Sequence, residues 1–288
     1  MSPYLFINPK AGLLKGCQTT DEVKEQLSGL TEQPDITIGR TSEAITKFIT
    51  KVKTDKPQKV YIAGGDGTIS AIIKGLMDEN VTFGLIPTGS MNNIGQSIGL
   101  GDDLQDAVRT INKGTVAEMD LGKVNGDIFI ESIGIGLVAQ IMDRVGEQDS
   151  KKEVLKVAQQ TIAEIVTTDT IPVKLKADDK EYEFETVWLT VTNTGRAAAA
   201  LVDPTSNVHD QLLDIIYCEP LGVTEIAQYV IAYIRNSHIR EDKFHRLRAK
   251  NIQIYLPDHM QVHVDGELKK WRRLKVEVLP AAIKVMVP

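Results

Sequence analysis

The feature that most constrains the fold is a short apolar run that ends in a glycine-rich turn. Residues 60–68 read VYIAGGDGT, and an apolar pattern with helical spacing follows over residues 69–76. A buried strand, a glycine turn and a helix N-terminus form an anion site, because glycine lets the backbone approach a ligand and N–H groups at a helix start point toward negative charge. The acidic residue in the turn, Asp66, favours a phosphate that carries a metal ion. The run therefore indicates nucleotide phosphate chemistry.

Residues 1–115 alternate between strand and helix patterns. The predicted strands cover residues 4–7, 36–38, 60–63 and 83–86, and the predicted helices cover residues 20–30, 42–52, 69–76 and 104–111. This alternation predicts a parallel sheet with helices on both faces. Ligands of such folds bind at the carboxyl ends of the strands, where the loops at 8–12, 64–68 and 87–93 fall together.

The second part of the chain has a different pattern, typical of antiparallel strands. An Asn125–Gly126 turn joins predicted strands at 119–124 and 127–132. Further strands are predicted at 173–175, 182–194, 212–217, 252–256, 261–264 and 274–278, with helices inserted at 151–166 and 223–236. The predicted fold class is α/β with two domains: a nucleotide-binding parallel-sheet domain over 1–115, with 281–288 as a candidate return to it, and a β-rich, β-sandwich-like domain over 116–280. The active site is expected in the cleft between them.

The composition restricts the class of protein further. Hydrophobic residues make up 42% and charged residues 25%, values typical of soluble globular proteins. No window reaches the roughly 18 consecutive apolar residues of a membrane-spanning helix, and the N-terminus lacks a signal-peptide pattern. Two cysteines are too few for a disulfide framework or a zinc site, so a cytoplasmic location is expected. The net charge of −6 argues against nucleic-acid binding, and the five histidines are expected at the surface.

Six motifs, in order along nearly the whole chain, resemble those of the bacterial soluble diacylglycerol kinase-like lipid kinases. They are INPKAG at 7–12, GGDGT at 64–68, IPTGSMNN at 86–93, DLG at 120–122 with FIE at 129–131 and GIGL at 134–137, DQLLD at 210–214, and VHVDGE at 262–267. The GGDGT turn alone is also found in NAD kinases and 6-phosphofructokinases, and its neighbours favour the lipid kinases. The chain contains no Walker A motif and no GxGxxG after the first strand.

The resemblance implies ATP and Mg²⁺ as cofactors and assigns roles to particular residues. The implied nucleotide-binding residues are Asn8, Pro9, Lys10, Ala11, Gly12, Thr41, Gly64, Gly65, Asp66, Gly67, Thr68, Ile69, Ser70 and Ser90. Asp66 would place Mg²⁺ on the phosphates, because a carboxylate oxygen suits a hard cation. Glu267 would be the general base that takes the proton of the acceptor hydroxyl.

The resemblance also implies a structural Mg²⁺ site, built from the Asp210 side chain and the backbone carbonyls of Asn207 and Leu212. A polar loop without metal is the alternative there, because Gln211 replaces the usual glycine. The alternative interpretation of Asp265, Gly266 and Glu267 is a plain hairpin turn.

The function implied is ATP-dependent phosphorylation of the hydroxyl of a lipid such as diacylglycerol. Asn93 stands where many family members carry Asp, and Met91 replaces a glycine. These departures leave two alternatives open: a catalytically degenerate regulator that binds nucleotide or lipid, and an NAD kinase-like kinase of a soluble substrate.

The implied partner is a lipid substrate at the inner face of the membrane, which the protein would visit transiently; a homodimer stays open. Residues 269–275 read KKWRRLK. This basic cluster is interpreted either as the solvated face of a strand or as a contact for anionic lipid, with Trp271 at the interface. Helix 151–166 is expected to line a lipid cleft or to pack in the core.

Overall fold

The computed structural model describes residues 2–9, 25, 27, 29–89, 91–101, 103–137, 139–140, 170–197, 200–201, 205–220 and 243–288. The chain divides into two compact units: Met1–Leu121 with Pro280–Pro288, and Gly122–Leu279. The helices predicted at 151–166 and 223–236 lie outside the described residues, as does most of the one predicted at 20–30. Within the described ranges, no helix has the length and apolar character needed to cross a membrane.

The first unit contains a parallel sheet with helices between its strands. Its strands are β1 (Tyr4–Ile7), β2 (Asp35–Ile38), β3 (Lys59–Gly64) and β4 (Thr82–Pro87), and its helices are α1 (Ser42–Asp55), α2 (Asp66–Leu76), α3 (Asn93–Ser97) and α4 (Leu104–Lys113). The strands pair in the order β2-β1-β3-β4, all parallel. The last strand of the chain, β16 (Glu267–Val287), ends in this unit and pairs in parallel with β4.

Both faces of this sheet are covered by helices, as the alternating pattern predicts. On one face, Leu5, Ile7 and Ala63 pack in a cluster with Val108 and Ile111 of α4. On the other face, the Phe6 ring contacts the Phe48 ring of α1, with 5.2 Å between the ring centroids. The strands are buried on both sides, which explains why they read as continuous apolar runs.

Two helices of this unit begin at side-chain caps. The Thr41 hydroxyl accepts a hydrogen bond of 3.2 Å from the Ala44 N–H at the start of α1. The Asp103 carboxylate accepts one of 3.0 Å from the Gln105 N–H at the start of α4. Such caps satisfy N–H groups that have no partner within the helix. The predicted starts of both helices are confirmed, whereas α2 begins three residues earlier than predicted, at Asp66.

The second unit is dominated by antiparallel strands. Besides the first part of β16, its strands are β5 (Thr115–Val124, which begins in the first unit), β6 (Asp127–Phe129), β7 (Ser132–Gly136), β8 (Ile171–Ala177), β9 (Lys180–Thr186), β10 (Trp188–Thr192), β11 (Arg196–Ala197), β12 (Ala200–Leu201), β13 (Leu213–Cys218), β14 (Phe244–Ala249) and β15 (Asn251–Val264). The main order is β14-β13-β10-β7-β15-β16, and β8 pairs with β15 and β9. Alternate residues of these strands, such as Ile133, Leu189, Ile215, Val262 and Leu274, form one apolar core.

The α/β fold class with a β-rich second unit is confirmed, and the differences concern single strands. The predicted strand 127–132 is two strands, because Ile130 and Glu131 bend away. The predicted strand 182–194 is divided at Val187, and the strands predicted at 252–256 and 261–264 are one strand with a shift of register. Strand β14 was not predicted, because its sequence FHRLRA has three basic residues and no apolar run.

Candidate active site

The loops that follow β1, β3 and β4 meet at the carboxyl edge of the first unit's sheet. The Asn8 side-chain amide donates a hydrogen bond of 2.9 Å to the Thr68 hydroxyl. The Thr88 N–H donates one of 3.0 Å to the Gly64 carbonyl. These bonds bring together the three loops that the sequence pattern places at this edge.

Gly89 allows the close approach of the loops after β3 and β4. A Cβ atom on Gly89 would lie 2.6 Å from the Gly65 Cα atom, which is closer than carbon atoms approach without displacement. A Cβ atom on Gly65 would lie 3.4 Å from the Gly89 Cα atom. Glycine at 89 is therefore required by backbone packing, whatever the site binds.

Asp66 connects α2 to the start of α3. One carboxylate oxygen accepts the Asn93 N–H and the other accepts the Ile94 N–H, each at 3.1 Å. These two bonds hold the carboxylate at a fixed angle. Asn93 and Ile94, whose backbone N–H groups fix Asp66, were not predicted from the sequence as site residues. The pair Asn92–Asn93 after a glycine could have indicated a tight turn at this point. Asn readily adopts the left-handed conformation, which Asn92 has here (φ 56°).

Gly67 marks the open side of this edge. It is exposed, and a Cβ atom added to it would meet no heavy atom within 4 Å. Its φ is not in the left-handed region, so neither packing nor backbone conformation requires glycine there. Open space beside the first turn of a helix is what a bound phosphate needs.

Gly67→Ala is expected to separate stability from nucleotide binding. Alanine inside a helix is more stable than glycine by about 0.5–1 kcal/mol, so the melting temperature should rise slightly. The added methyl group would occupy the space that a phosphate needs, and a steric cost of about 1–3 kcal/mol corresponds to an ATP affinity about 5- to 150-fold weaker. Calorimetric titration with ATP, beside thermal unfolding without it, checks both effects. An unchanged ATP affinity would show that Gly67 does not face the nucleotide.

The other predicted nucleotide-binding residues occupy different environments. Pro9, Thr68 and Ser70 are buried. The Ile69 side chain lies in the core, and its N–H donates to the Gly65 carbonyl. Thr41 caps α1 at the edge where β2 ends. Lys10, Ala11, Gly12 and Ser90 lie outside the described residues.

In the second unit, Asp265 and Gly266 form the two-residue turn between β15 and β16. Their φ angles are 43° and 92°, as this type of tight hairpin turn requires. The Asp265 carboxylate accepts the N–H groups of Ile130, Glu131 and Ser132, at 2.6, 2.9 and 3.1 Å. These three bonds replace strand pairing at this point, which is why β6 and β7 are separate strands.

Glu267 follows this turn directly. Its carboxylate lies 3.0 Å from the Lys269 ammonium group, and its side chain is 71% exposed. The hydrogen bond to Glu267 raises the pKa of Lys269, which keeps the lysine protonated beside the carboxylate. Asp66 belongs to the first unit and Glu267 to the second.

His263 contradicts the expectation that all five histidines lie at the surface. It is only 5% exposed, and its Nε2 atom accepts a hydrogen bond of 2.8 Å from the Gly266 N–H. Nε2 must therefore be unprotonated. Burial lowers the pKa of His263, against a smaller opposing effect of the Asp265 charge. The neutral imidazole supports the turn that precedes Glu267.

Stability is expected to fall on acidification because of His263. A histidine whose folded-state pKa lies below its unfolded value contributes stability that is fully present above the unfolded pKa of about 6.5, and that is lost as the pH falls through the folded pKa. Protonation would also remove the acceptor of the Gly266 N–H. Thermal unfolding of the wild type and of His263→Gln between about pH 5 and 8 tests this, since glutamine accepts a hydrogen bond without titrating. Equal slopes for the two proteins would exclude His263 as the cause.

The turn predicted to bind a structural metal is held by its own hydrogen bonds. The Asp210 carboxylate accepts the Leu212 N–H at 3.0 Å, and the Asn207 side-chain oxygen accepts the His209 N–H at 3.0 Å. Gln211 has φ 62°, so it adopts the left-handed conformation that a glycine would adopt. In the part of the chain that the structure describes, no three His, Cys, Asp or Glu side chains are grouped as metal ligands would be. The structural Mg²⁺ site stays a prediction.

Comparison with known proteins agrees with this geometry. Residues 2–124 match the diacylglycerol kinase catalytic domain, and residues 131–287 match the YegS C-terminal NAD kinase beta sandwich-like domain. A protein of Staphylococcus haemolyticus, provisionally named a lipid kinase, is 25% identical over an alignment of 296 positions, which covers 98% of this chain and 94% of that protein. The diacylglycerol kinase of Bacillus subtilis is 25% identical over 218 residues, 72% of this chain and 70% of its own length.

A solved structure supports the fold independently. The crystal structure of a diacylglycerol kinase from Bacillus anthracis superposes with a TM-score of 0.75 over 100% of this chain and 97% of that one, at 22% identity. At this identity the likeness concerns the fold, and the domain matches carry the assignment. With its two domain matches and the loops that meet around Gly65, Asp66 and Gly89, the chain belongs to the diacylglycerol kinase-like lipid kinase family.

Proposed function

We propose that this protein is an ATP-dependent kinase that transfers the γ-phosphoryl group of ATP to the hydroxyl of a lipid such as diacylglycerol. The observation that supports it most is the open space at Gly67 beside the fixed Asp66 carboxylate, at the carboxyl edge of a parallel sheet. This edge is where nucleotides bind in α/β folds. The family assignment supplies the kinase class, and the lipid acceptor is our inference from it.

The first unit would bind and orient the nucleotide. The phosphates would lie against the first turn of α2, where the helix dipole and backbone N–H groups favour negative charge. Mg²⁺ fits this site, because the ion commonly needs only one or two protein carboxylates and takes its other ligands from phosphate and water. When bound, it would neutralise charge on the phosphates. Asp66 is the described residue that would hold it, with its angle set by the Asn93 and Ile94 N–H groups.

Glu267 would act on the acceptor. An alcohol attacks phosphorus efficiently only when its proton can leave, so a carboxylate within hydrogen-bonding reach of the hydroxyl is required. The acceptor oxygen forms the new bond to the γ-phosphorus, ADP departs with the bridging oxygen, and the proton passes to Glu267. The Asp265 turn, fixed by three hydrogen bonds, restricts the backbone positions open to Glu267.

Glu267→Gln is expected to reduce lipid phosphorylation by about 10²–10⁴-fold, the usual contribution of a general base. The fold should be unaffected, because the side chain is exposed. The measurement is ADP formation by purified protein with Mg²⁺, ATP and a panel of lipids in mixed micelles. Glu183→Gln is a matched control: Glu183 is also 71% exposed and lies 2.9 Å from a lysine, Lys174. This control should keep full activity.

Other outcomes of the same assay identify the alternatives. ATP binding without turnover on any lipid would favour a nucleotide-binding regulator. Turnover on a soluble acceptor such as NAD, with none on lipids, would favour an NAD kinase-like activity. The matched C-terminal domain is described as NAD kinase beta sandwich-like. Full activity of Glu267→Gln on a lipid would contradict the proposed role of Glu267 as the base, but it would leave the lipid kinase activity standing.

A further inference from the structure

The β15–β16 hairpin carries cations that the proposed chemistry does not use. Residues 268–275 contain five basic residues and no acidic residue, in a chain whose net charge is −6. Lys269 is paired with Asp127 and Glu267. Among the described residues, the cations of this segment with no carboxylate oxygen within 4.0 Å are Lys270, Arg272, Arg273 and Lys275. Arg272 still interacts electrostatically with Asp258.

Three of these cations project from the face of the hairpin that is turned away from the core. Leu274 and Val276, which alternate with Arg273 and Lys275, are buried in the core of the second unit. The register sets Arg273 opposite Tyr255, Lys275 opposite Gln253 and Lys270 opposite Gln261. All three cations are exposed.

The same face presents apolar groups to solvent. Tyr255 is 39% exposed and Leu268 is 36% exposed, and they are two of three large apolar side chains in the described residues with such exposure. The Arg273 guanidinium lies 5.0 Å from the centroid of the Tyr255 ring. Trp271, which the lipid-contact interpretation of the basic cluster places at an interface, packs against the core instead. We call Lys270, Arg273, Lys275, Tyr255 and Leu268 the hairpin face.

Neighbouring cations on the same side of the sheet are neutralised. Lys174 and Lys176 of β8 are paired in register with Tyr255 and Gln253. Lys174 lies 2.9 Å from Glu183, and Lys176 lies 3.9 Å from Glu181. These two lysines therefore add no net positive charge beside the hairpin face.

We propose that the hairpin face docks reversibly on the surface of an anionic lipid bilayer. Cations near such a surface each contribute to binding, and Tyr and Leu side chains between them can enter the headgroup region. A strand pair with three uncompensated cations and two exposed apolar side chains matches that surface in charge and in chemistry. The choice of a bilayer over another polyanion rests on the proposed lipid acceptor. Glu267 precedes Leu268 directly, so docking would bring the base to the depth of lipid hydroxyls.

Vesicle co-sedimentation without ATP tests the proposal. The wild type should bind vesicles that contain phosphatidylglycerol, bind pure phosphatidylcholine vesicles much less, and dissociate as salt is raised. Lys270→Gln/Arg273→Gln/Lys275→Gln should bind the anionic vesicles about a hundredfold more weakly, at roughly fivefold for each cation removed. The control Lys47→Gln/Lys174→Gln/Lys176→Gln removes the same charge from lysines that are paired with carboxylates. It should bind like the wild type.

Several results would overturn the proposal. These are equal binding of anionic and neutral vesicles, wild-type binding by the first triple variant, or an equal loss in the control. Displacement from vesicles by duplex DNA at an equal phosphate concentration would show a general polyanion surface instead. Because the assay needs no turnover, an inactive protein that still binds would leave the docking intact. If the protein phosphorylates a lipid but its vesicle binding does not depend on the hairpin face, the docking proposal is contradicted and the proposed function stands.

Discussion

Asp66→Asn is expected to lower the rate of phosphoryl transfer by about 10²–10³-fold, the usual loss when one preorganised electrostatic group is removed from a site. The neutral amide would lose the charge that holds a cation on the phosphates. Its remaining carbonyl oxygen can still accept one of the two N–H groups from Asn93 and Ile94. The fold should therefore persist with a small loss of stability. The measurement is kcat at saturating ATP over a range of Mg²⁺ concentrations.

Asp103→Asn provides the control for this variant. Asp103 also lies at the start of a helix and accepts a backbone N–H, from Gln105, yet it lies outside the three loops that meet at the carboxyl edge of the sheet. Asn is as good a cap as Asp, so both stability and activity should be retained. If Asp66→Asn kept the wild-type rate at low Mg²⁺, Asp66 would be a structural connection between α2 and α3 only.

Asp265→Gly is expected to destabilise the second unit by about 3–6 kcal/mol, since hydrogen bonds to a charged group contribute about 1.5–3 kcal/mol each and the N–H groups of two buried residues lose their acceptor. Ile130 and Ser132 are buried, so water cannot readily replace the carboxylate. Glycine is chosen because it adopts φ 43° without strain, which removes backbone conformation as a cause. At about 2–4 °C per kcal/mol, the melting temperature should fall by roughly 10 °C.

Thermal unfolding measures this loss, and two further variants interpret it. Asp258→Ala removes an exposed carboxylate from β15, the strand before the turn, and should have an effect below about 0.5 kcal/mol. Asp265→Asn keeps an acceptor and the turn conformation and should lie between the wild type and Asp265→Gly. A loss in Asp265→Gly no greater than that in Asp258→Ala would mean that the three N–H groups find other partners.

The first unit could be predicted from the sequence because its signals are local. Buried parallel strands are continuous apolar runs, and Thr41 and Asp103 are helix caps that stand next to the helices they start. The glycine turn at Gly64 and Gly65 indicated where the ligand edge lies. The predicted nucleotide loops follow from the same patterns, and the contact of Asn8 with Thr68 brings two of them together.

The contacts that the sequence could not predict join residues distant in the chain. The Asp265 carboxylate binds backbone N–H groups that lie 133 to 135 residues earlier in the chain, and these bonds divide the strand predicted at 127–132. His263 was expected at the surface because a single histidine in an alternating strand carries no sign of what covers it. Strand β14 has no apolar run, since its residues pair with β13 and only alternate side chains reach the core. In each case the missing information was the identity of the neighbouring strand.

The parallel pairing of β16 with β4 has a consequence for synthesis of the protein. Lys284 and Val285 pair with Thr82 and Phe83, so the edge of β4 lacks its partner until about 200 further residues have been added. At translation rates of about 5–20 residues per second, this edge stays open for some 10–40 s. An unpaired strand edge can pair with other chains. The nascent first unit is therefore most exposed to aggregation during this interval, when chaperone binding would have the greatest effect.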